Sequence, residues 1–64
     1  MSWFPSLKVF VYFKDERGMC VAFMDSLNQK EADKFCRTWS RPGRKVTRVV
    51  LQDRTGKVYK EYTY

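Results

Sequence analysis

SLNQKEADKFCRTWSRPGRKVTR, residues 26–48, is the stretch around which the chain is organised: everything before it reads as one β-hairpin and everything after it as a second. A helix is expected over residues 26–40. Asn28 is suited to the N-cap, and Glu31 three residues on completes a capping-box pattern. Leu27 before the cap and Ala32 after it have the spacing of a hydrophobic staple, while Ser26 with Gln29 offers a competing cap slightly earlier. Ala32, Phe35, Cys36 and Trp39 then fall on one apolar stripe. Pro42-Gly43 ends the helix, with glycine supplying a residue that accepts positive φ. Such a helix is about 20 Å long, enough to cross one face of a small sheet.

Upstream, residues 7–14 alternate, with Leu7, Val9, Val11 and Phe13 on one face and Lys8, Phe10, Tyr12 and Lys14 on the other. Asp15-Glu16-Arg17-Gly18 has the composition of a type I turn, and residues 19–25 form the second strand. A four-residue turn pairs Phe13 with Cys20, Val11 with Ala22 and Val9 with Met24. On the other side it pairs Lys8 with Asp25, Phe10 with Phe23 and Tyr12 with Val21. A bulged three-residue loop would move this register by one.

Downstream, residues 45–53 place Thr47, Val49 and Leu51 on one face and Val46, Arg48, Val50 and Gln52 on the other. Asp53-Arg54-Thr55-Gly56 repeats the Asp-x-x-Gly turn, and residues 57–62 form the fourth strand. The matching register sets Leu51 opposite Val58, Val50 opposite Tyr59, Val49 opposite Lys60, Arg48 opposite Glu61 and Thr47 opposite Tyr62. The expected fold is therefore α+β, in the order ββαββ: a four-stranded, mostly antiparallel sheet with one helix packed on one face. The crossover allows strand 3 beside strand 1 or on the far edge. The 64 residues suffice for a single small domain with a thin core; an aromatic content of 17% favours a sheet over a helical bundle. Trp3-Phe4-Pro5 is expected to cap an open end of that core.

One helix shields one face. The other is expected to present Phe10, Tyr12, Val21, Phe23, Val50 and Tyr59, ringed by Lys8, Lys14, Arg48 and Glu61, where a solvated antiparallel sheet normally shows polar residues. Three occupants suit such a face. They are a second copy of the chain in a homodimer, unpaired bases stacked on Phe10, Tyr12, Phe23 and Tyr59, or a partner protein. The RNA-recognition family is not matched, because its βαββαβ order and Gly-rich aromatic strand motif are missing.

The charge is concentrated. Lys34, Arg37, Arg41, Arg44, Lys45 and Arg48 lie in one fifteen-residue run without an acid, and the other seven Lys/Arg are balanced by seven Asp/Glu, so the whole net +6 sits in this run. Lys30, Lys34, Arg37 and Arg41 have the spacing of a solvent-facing helical stripe. An i, i+4 pair of Asp33 with Arg37, and cations near a helix C-terminus, explain part of it structurally. The density as a whole suits phosphates, and hence nucleic acid, or an acidic protein surface.

The composition argues against catalysis. Histidine is absent, Asp15, Glu16 and Asp53 sit at turn tips, Asp25 can pair with Lys8, and no glycine-rich phosphate loop occurs. Cys20 and Cys36 are too few and too far apart for a zinc site and read as small core residues. No metal or cofactor is called for. No membrane span or signal peptide is recognisable, so a reducing cytoplasm is expected. No motif names a family. In kind (very short, basic, aromatic-rich, without catalytic chemistry) the chain resembles small accessory proteins of bacteriophages that bind and redirect host enzymes. That resemblance implies an inhibitor or modulator of a host nuclease, polymerase or toxin.

Overall fold

The computed structural model describes residues 7–14 and 17–64. The expectations for Trp3-Phe4-Pro5 and for the Asp15-Glu16 turn lie outside the described residues. The elements run β1 (Lys8–Phe13), β2 (Met19–Phe23), α1 (Gln29–Trp39), β3 (Val46–Gln52) and β4 (Val58–Thr63). They form the expected ββαββ arrangement: one antiparallel sheet in the order β2-β1-β3-β4, so the crossover sets β3 beside β1. No helix of the described residues is long and apolar enough to cross a membrane.

Local chemistry fixes both ends of α1. The Asn28 side chain accepts from the Glu31 amide at 2.8 Å while the Asn28 amide donates to Glu31 Oε1 at 3.1 Å, a closed capping box. The helix thus begins at Gln29, and the alternative cap at Ser26 is not used. Leu27 and Ala32, the two staple positions, are both fully buried. At the other end the Ser40 amide donates to the Cys36 carbonyl, and the Ser40 hydroxyl accepts from the Val46 amide at 3.1 Å. Ser40 thereby ties the end of α1 to the start of β3. At eleven residues the helix is about 16 Å long. It lies mainly over β3, and less over β1.

Each ladder carries one irregularity, and these correct the expected registers. In β1–β2, Val9 pairs with Ala22 but Phe10 pairs with Cys20, leaving Val21 as the extra residue. Lys8 therefore faces Phe23, with its ammonium 5.9 Å from that ring centre, and not Asp25. The bulge turns Cys20 out to solvent and brings Val21 against the core, the reverse of the simple alternation. In β1–β3 the extra residue is Thr47, whose hydroxyl donates to the Tyr12 carbonyl at 3.2 Å. Val46 is thereby buried on the helix side, not on the open face. In β3–β4, Gly56 adopts φ 93° and the loop closes by an Asp53 amide to Lys57 carbonyl bond, so three residues bridge the strands where the expected four-residue turn pairs Asp53 with Gly56. A further shift at Tyr59 then pairs Val50 with Glu61 and Val49 with Tyr62. Asp53 holds this turn by accepting from the Thr55 amide, the Thr55 hydroxyl and the Lys57 amide. Those donors, the Thr55 hydroxyl first, keep its carboxyl below the usual range.

The core is Val9, Val11, Phe13, Leu27, Ala32, Val46, Val49 and Leu51, with Phe35, Cys36, Trp39 and Tyr62 packed around it. Tyr62 also donates to the Leu27 carbonyl at 2.9 Å, and the Tyr64 hydroxyl reaches Asp33 Oδ1 at 2.7 Å. Gln29 donates to the same oxygen, and Arg37 lies near enough to add a favourable charge.

The cap and the Asp33 cluster each have a measurable consequence. Asn28→Ala should cost about 1 kcal/mol and lower Tm by roughly 4–8 °C, read by thermal unfolding. Tyr64 first, then Gln29, hold the Asp33 carboxyl below its ordinary value. A depressed folded-state value stabilises fully above the unfolded-state value and is lost as pH falls through the folded-state one. The stability gap between wild type and Asp33→Asn should therefore be constant above pH ~5 and close progressively below pH ~4 in denaturant titrations.

Candidate nucleic-acid interface

The six cations of the basic run are divided over three places. Lys34 and Arg37 are exposed on α1. Arg41, Arg44 and Lys45 belong to a tight excursion between Ser40 and Val46: the Arg41 and Arg44 backbones bond to each other in both directions, at 3.0 and 2.8 Å. Pro42 and Gly43 form its tip, and Gly43 has φ 79°. Proline followed by a residue of positive φ is a type II turn. Glycine is therefore needed in this turn and not at the helix cap, which Ser40 closes in an extended conformation. Arg41, which continues the helical stripe in sequence, leaves it in space because α1 stops at Trp39.

Arg48 goes elsewhere. It projects from β3 onto the open face, where its guanidinium carbon lies 4.3 Å from the Tyr12 ring centre and its Nη1 3.2 Å from Glu61 Oε2. Tyr12 is its cross-strand neighbour, and the cation–π geometry follows from that pairing. Arg44 makes the same kind of contact with Phe13, at 4.3 Å. Beside it Phe13, Lys14, Gly43, Arg44 and Lys45 line a pocket of ≈ 320 Å³. Simple alternation groups Lys14 with the open sheet face. The end of β1 instead brings it to the basic turn, a long-range juxtaposition with no local sequence signal.

The four aromatic positions are less uniform than alternation suggests. Phe10 and Tyr12 are neighbours at 6.3 Å between ring centres, and both are half-buried. Gly18 lies directly against Tyr12: a β-carbon there would come within 2.5 Å of the ring. Tyr12 is thus hemmed in by Gly18 and Arg48. Phe23 is 60% exposed and Tyr59 50%. Tyr59 stands with Lys57, 5.3 Å from its ring, and Asp53, not with the other three rings. Val50, on the same side as Phe10 and Arg48, is only 1% exposed. No described element packs on that side; its described neighbours there are Phe10, Arg48 and Glu61.

Among the described residues no three His, Cys, Asp or Glu side chains are grouped as a metal site. Cys36 is half-buried, its sulfur 3.9 Å from the Val46 carbonyl oxygen.

Compared with protein-family models, with curated proteins and with solved structures, the chain matches none. Any functional reading therefore rests on the geometry. One part of it is directly testable: Gly18→Ala should push the Tyr12 ring off its place beside Arg48. The upfield ring-current shifts of the Arg48 side-chain protons should then collapse in the NMR spectrum, while the Phe10 and Val50 signals move less.

Proposed function

We propose that the protein is a non-catalytic nucleic-acid-binding module whose phosphate contacts centre on the basic turn, residues 41–45. The observation that carries this reading is the turn itself. A proline–glycine tip carries Arg41, Arg44 and Lys45, all three exposed, with Lys14 lining the same pocket as Arg44 and Lys45, and with Arg44 also set over the Phe13 ring. Phosphate oxygens favour such a cluster through direct contact and counterion release, without any requirement for base sequence. Arg48 contributes less, since it is already committed to Tyr12 and Glu61. For a single-stranded ligand, Phe23 is the most accessible stacking surface, Tyr59 the next, and Phe10 and Tyr12 are half-buried. The reading places the protein in a reducing cytoplasm, with Cys20 and Cys36 as thiols.

The second reading, a modulator docking on an acidic host protein, uses the same turn. A favourable feature is the pairing of arginine with aromatic rings at Phe13 and Tyr12, residue types enriched in protein interfaces. Binding of labelled single- and double-stranded oligonucleotides by fluorescence anisotropy, at several salt concentrations, separates the two. Phosphate-driven binding weakens steeply with salt, and each phosphate neutralised on a duplex adds about 0.9 to the steepness of the log–log slope. The triple variant Arg41→Glu/Arg44→Glu/Lys45→Glu should lose at least about tenfold in affinity and flatten that slope. Unchanged affinity in the triple variant would overturn the assignment of phosphates to the turn. No binding by the wild type would leave the acidic-protein reading in its place.

A further inference from the structure

The outer edge of β2 is unlike the other edge of the sheet. Residues 19–24, Met-Cys-Val-Ala-Phe-Met, contain no charge and no proline, whereas residues 57–62 of the opposite edge carry Lys57, Lys60 and Glu61. Natural sheets protect their edges with charge, and an uncharged edge is a template for another strand. Among the described residues no strand pairs with this edge of β2.

The backbone groups it offers can be placed. The Met24 amide donates to the Leu7 carbonyl at 3.2 Å, so residue 24 faces β1. Antiparallel ladders alternate, and Phe23, opposite Lys8, therefore turns its N–H and C=O outward. Cys20, opposite Phe10, shares that phase, because Phe10 lies two residues from Lys8 along β1. The side chains of both lie on the open face, and both residues are exposed. On the helix side Met19, Ala22 and Met24 are half-buried. There, along the side of α1, Met24, Glu31, Lys34, Phe35 and Thr38 line an apolar groove of ≈ 280 Å³.

We propose that a second copy of this chain pairs with this edge, β2 against β2, around a two-fold axis near residues 21 and 22. The argument for a copy is self-complementarity. In that register Cys20 meets Phe23 of the second copy, outward backbone against outward backbone, and each exposed Phe23 ring covers a thiol. On the helix side Met19 of one copy meets Met24 of the other, bringing a flexible thioether to the mouth of the groove that Met24 and Phe35 leave open. The bulge at Val21 makes this match possible. Without it residues 19 and 24 would point to opposite faces. No charge within β2 itself opposes the contact. A two-fold axis perpendicular to the sheet keeps both helices on the same side of an eight-stranded sheet, so two basic turns accompany one dimer. The contact does not use the basic turn, so it stands or falls separately from the phosphate assignment there, while the dimer would take up the Phe23 ring otherwise offered for base stacking.

Sedimentation equilibrium tests it. The wild type should show about twice the 7.7 kDa protomer mass at micromolar concentrations. Phe23→Pro removes an N–H that faces away from β1 and blocks the outer edge, so it should weaken dimerisation at least about tenfold while circular dichroism still shows a folded domain. A wild type that is monomeric up to ~100 µM overturns the proposal, as does a folded Phe23→Pro protein that dimerises undiminished. If Phe23→Pro does not fold, Phe23→Cys decides. Under mild oxidation Cys20 should cross-link to the new cysteine of the second copy, giving a covalent dimer on a non-reducing gel. Absence of that band would overturn the register and the pairing with it.

Discussion

An eleven-residue helix can shield only part of one side of a four-stranded sheet, and the rest of this structure is arranged around that shortage of cover. The strands are apolar on both sides, so burial depends on which residues are steered beneath α1. The bulges do the steering. The extra residue at Thr47 brings Val46 into the core, and the one at Val21 adds Val21 to the helix side while releasing Cys20. Each added apolar side chain contributes on the order of 1.5–3 kcal/mol when fully buried, a large fraction of the total stability of a small domain. On the other side no described element forms a second layer, and Val50 is buried beside Phe10 and Tyr12 and next to the Arg48–Glu61 pair.

How much of this is legible in the residues alone follows from the range of each interaction. The order ββαββ, the Asn28–Glu31 cap, the Leu27–Ala32 staple and the apolar helical stripe all depend on residues within one or two turns of each other. Such patterns survive any change in strand pairing. Register does not, because a strand with Val, Phe or Tyr on both faces has no unique hydrophobic side to hold it in place. Simple alternation therefore puts Cys20 inside and Val46 outside. The β3–β4 shift has a local source in Gly56, whose positive φ selects a three-residue loop, but Asp-x-x-Gly is compatible with both loop lengths. The candidate site divides in the same way. The density of positive charge is evident in the sequence, whereas the separation of Arg48 from the turn, and the arrival of Lys14 beside it, require the path of β1 and β3.

The arginines also show why a count of charges says little about binding. Arg44 and Arg48 lie over the aromatic rings of β1, Arg44 over Phe13 and Arg48 over Tyr12, so part of their surface is taken up by the sheet. Lys34, Arg37, Arg41 and Lys45 project further from the rings. The same residue type thus serves as packing material in one place and as surface charge in another. Under the proposed nucleic-acid reading, phosphates would meet the exposed cations of the turn and unpaired bases the Phe23 ring on the open face.

The bonds from Tyr62 to Leu27 and from Tyr64 to Asp33 join segments separated by 35 and 31 positions. They fasten the approach to α1 and its early turns to β4 and the residue that follows it, so the helix is anchored near its start by residues that follow its end. Closing so wide a loop is entropically unfavourable until the contacts themselves offset it. The β1–β3 pairing likewise joins segments distant in sequence, and non-local pairings of that kind slow folding. The helix packs on β3 and β1, but its start gains these two bonds only once β4 has joined the sheet beside β3.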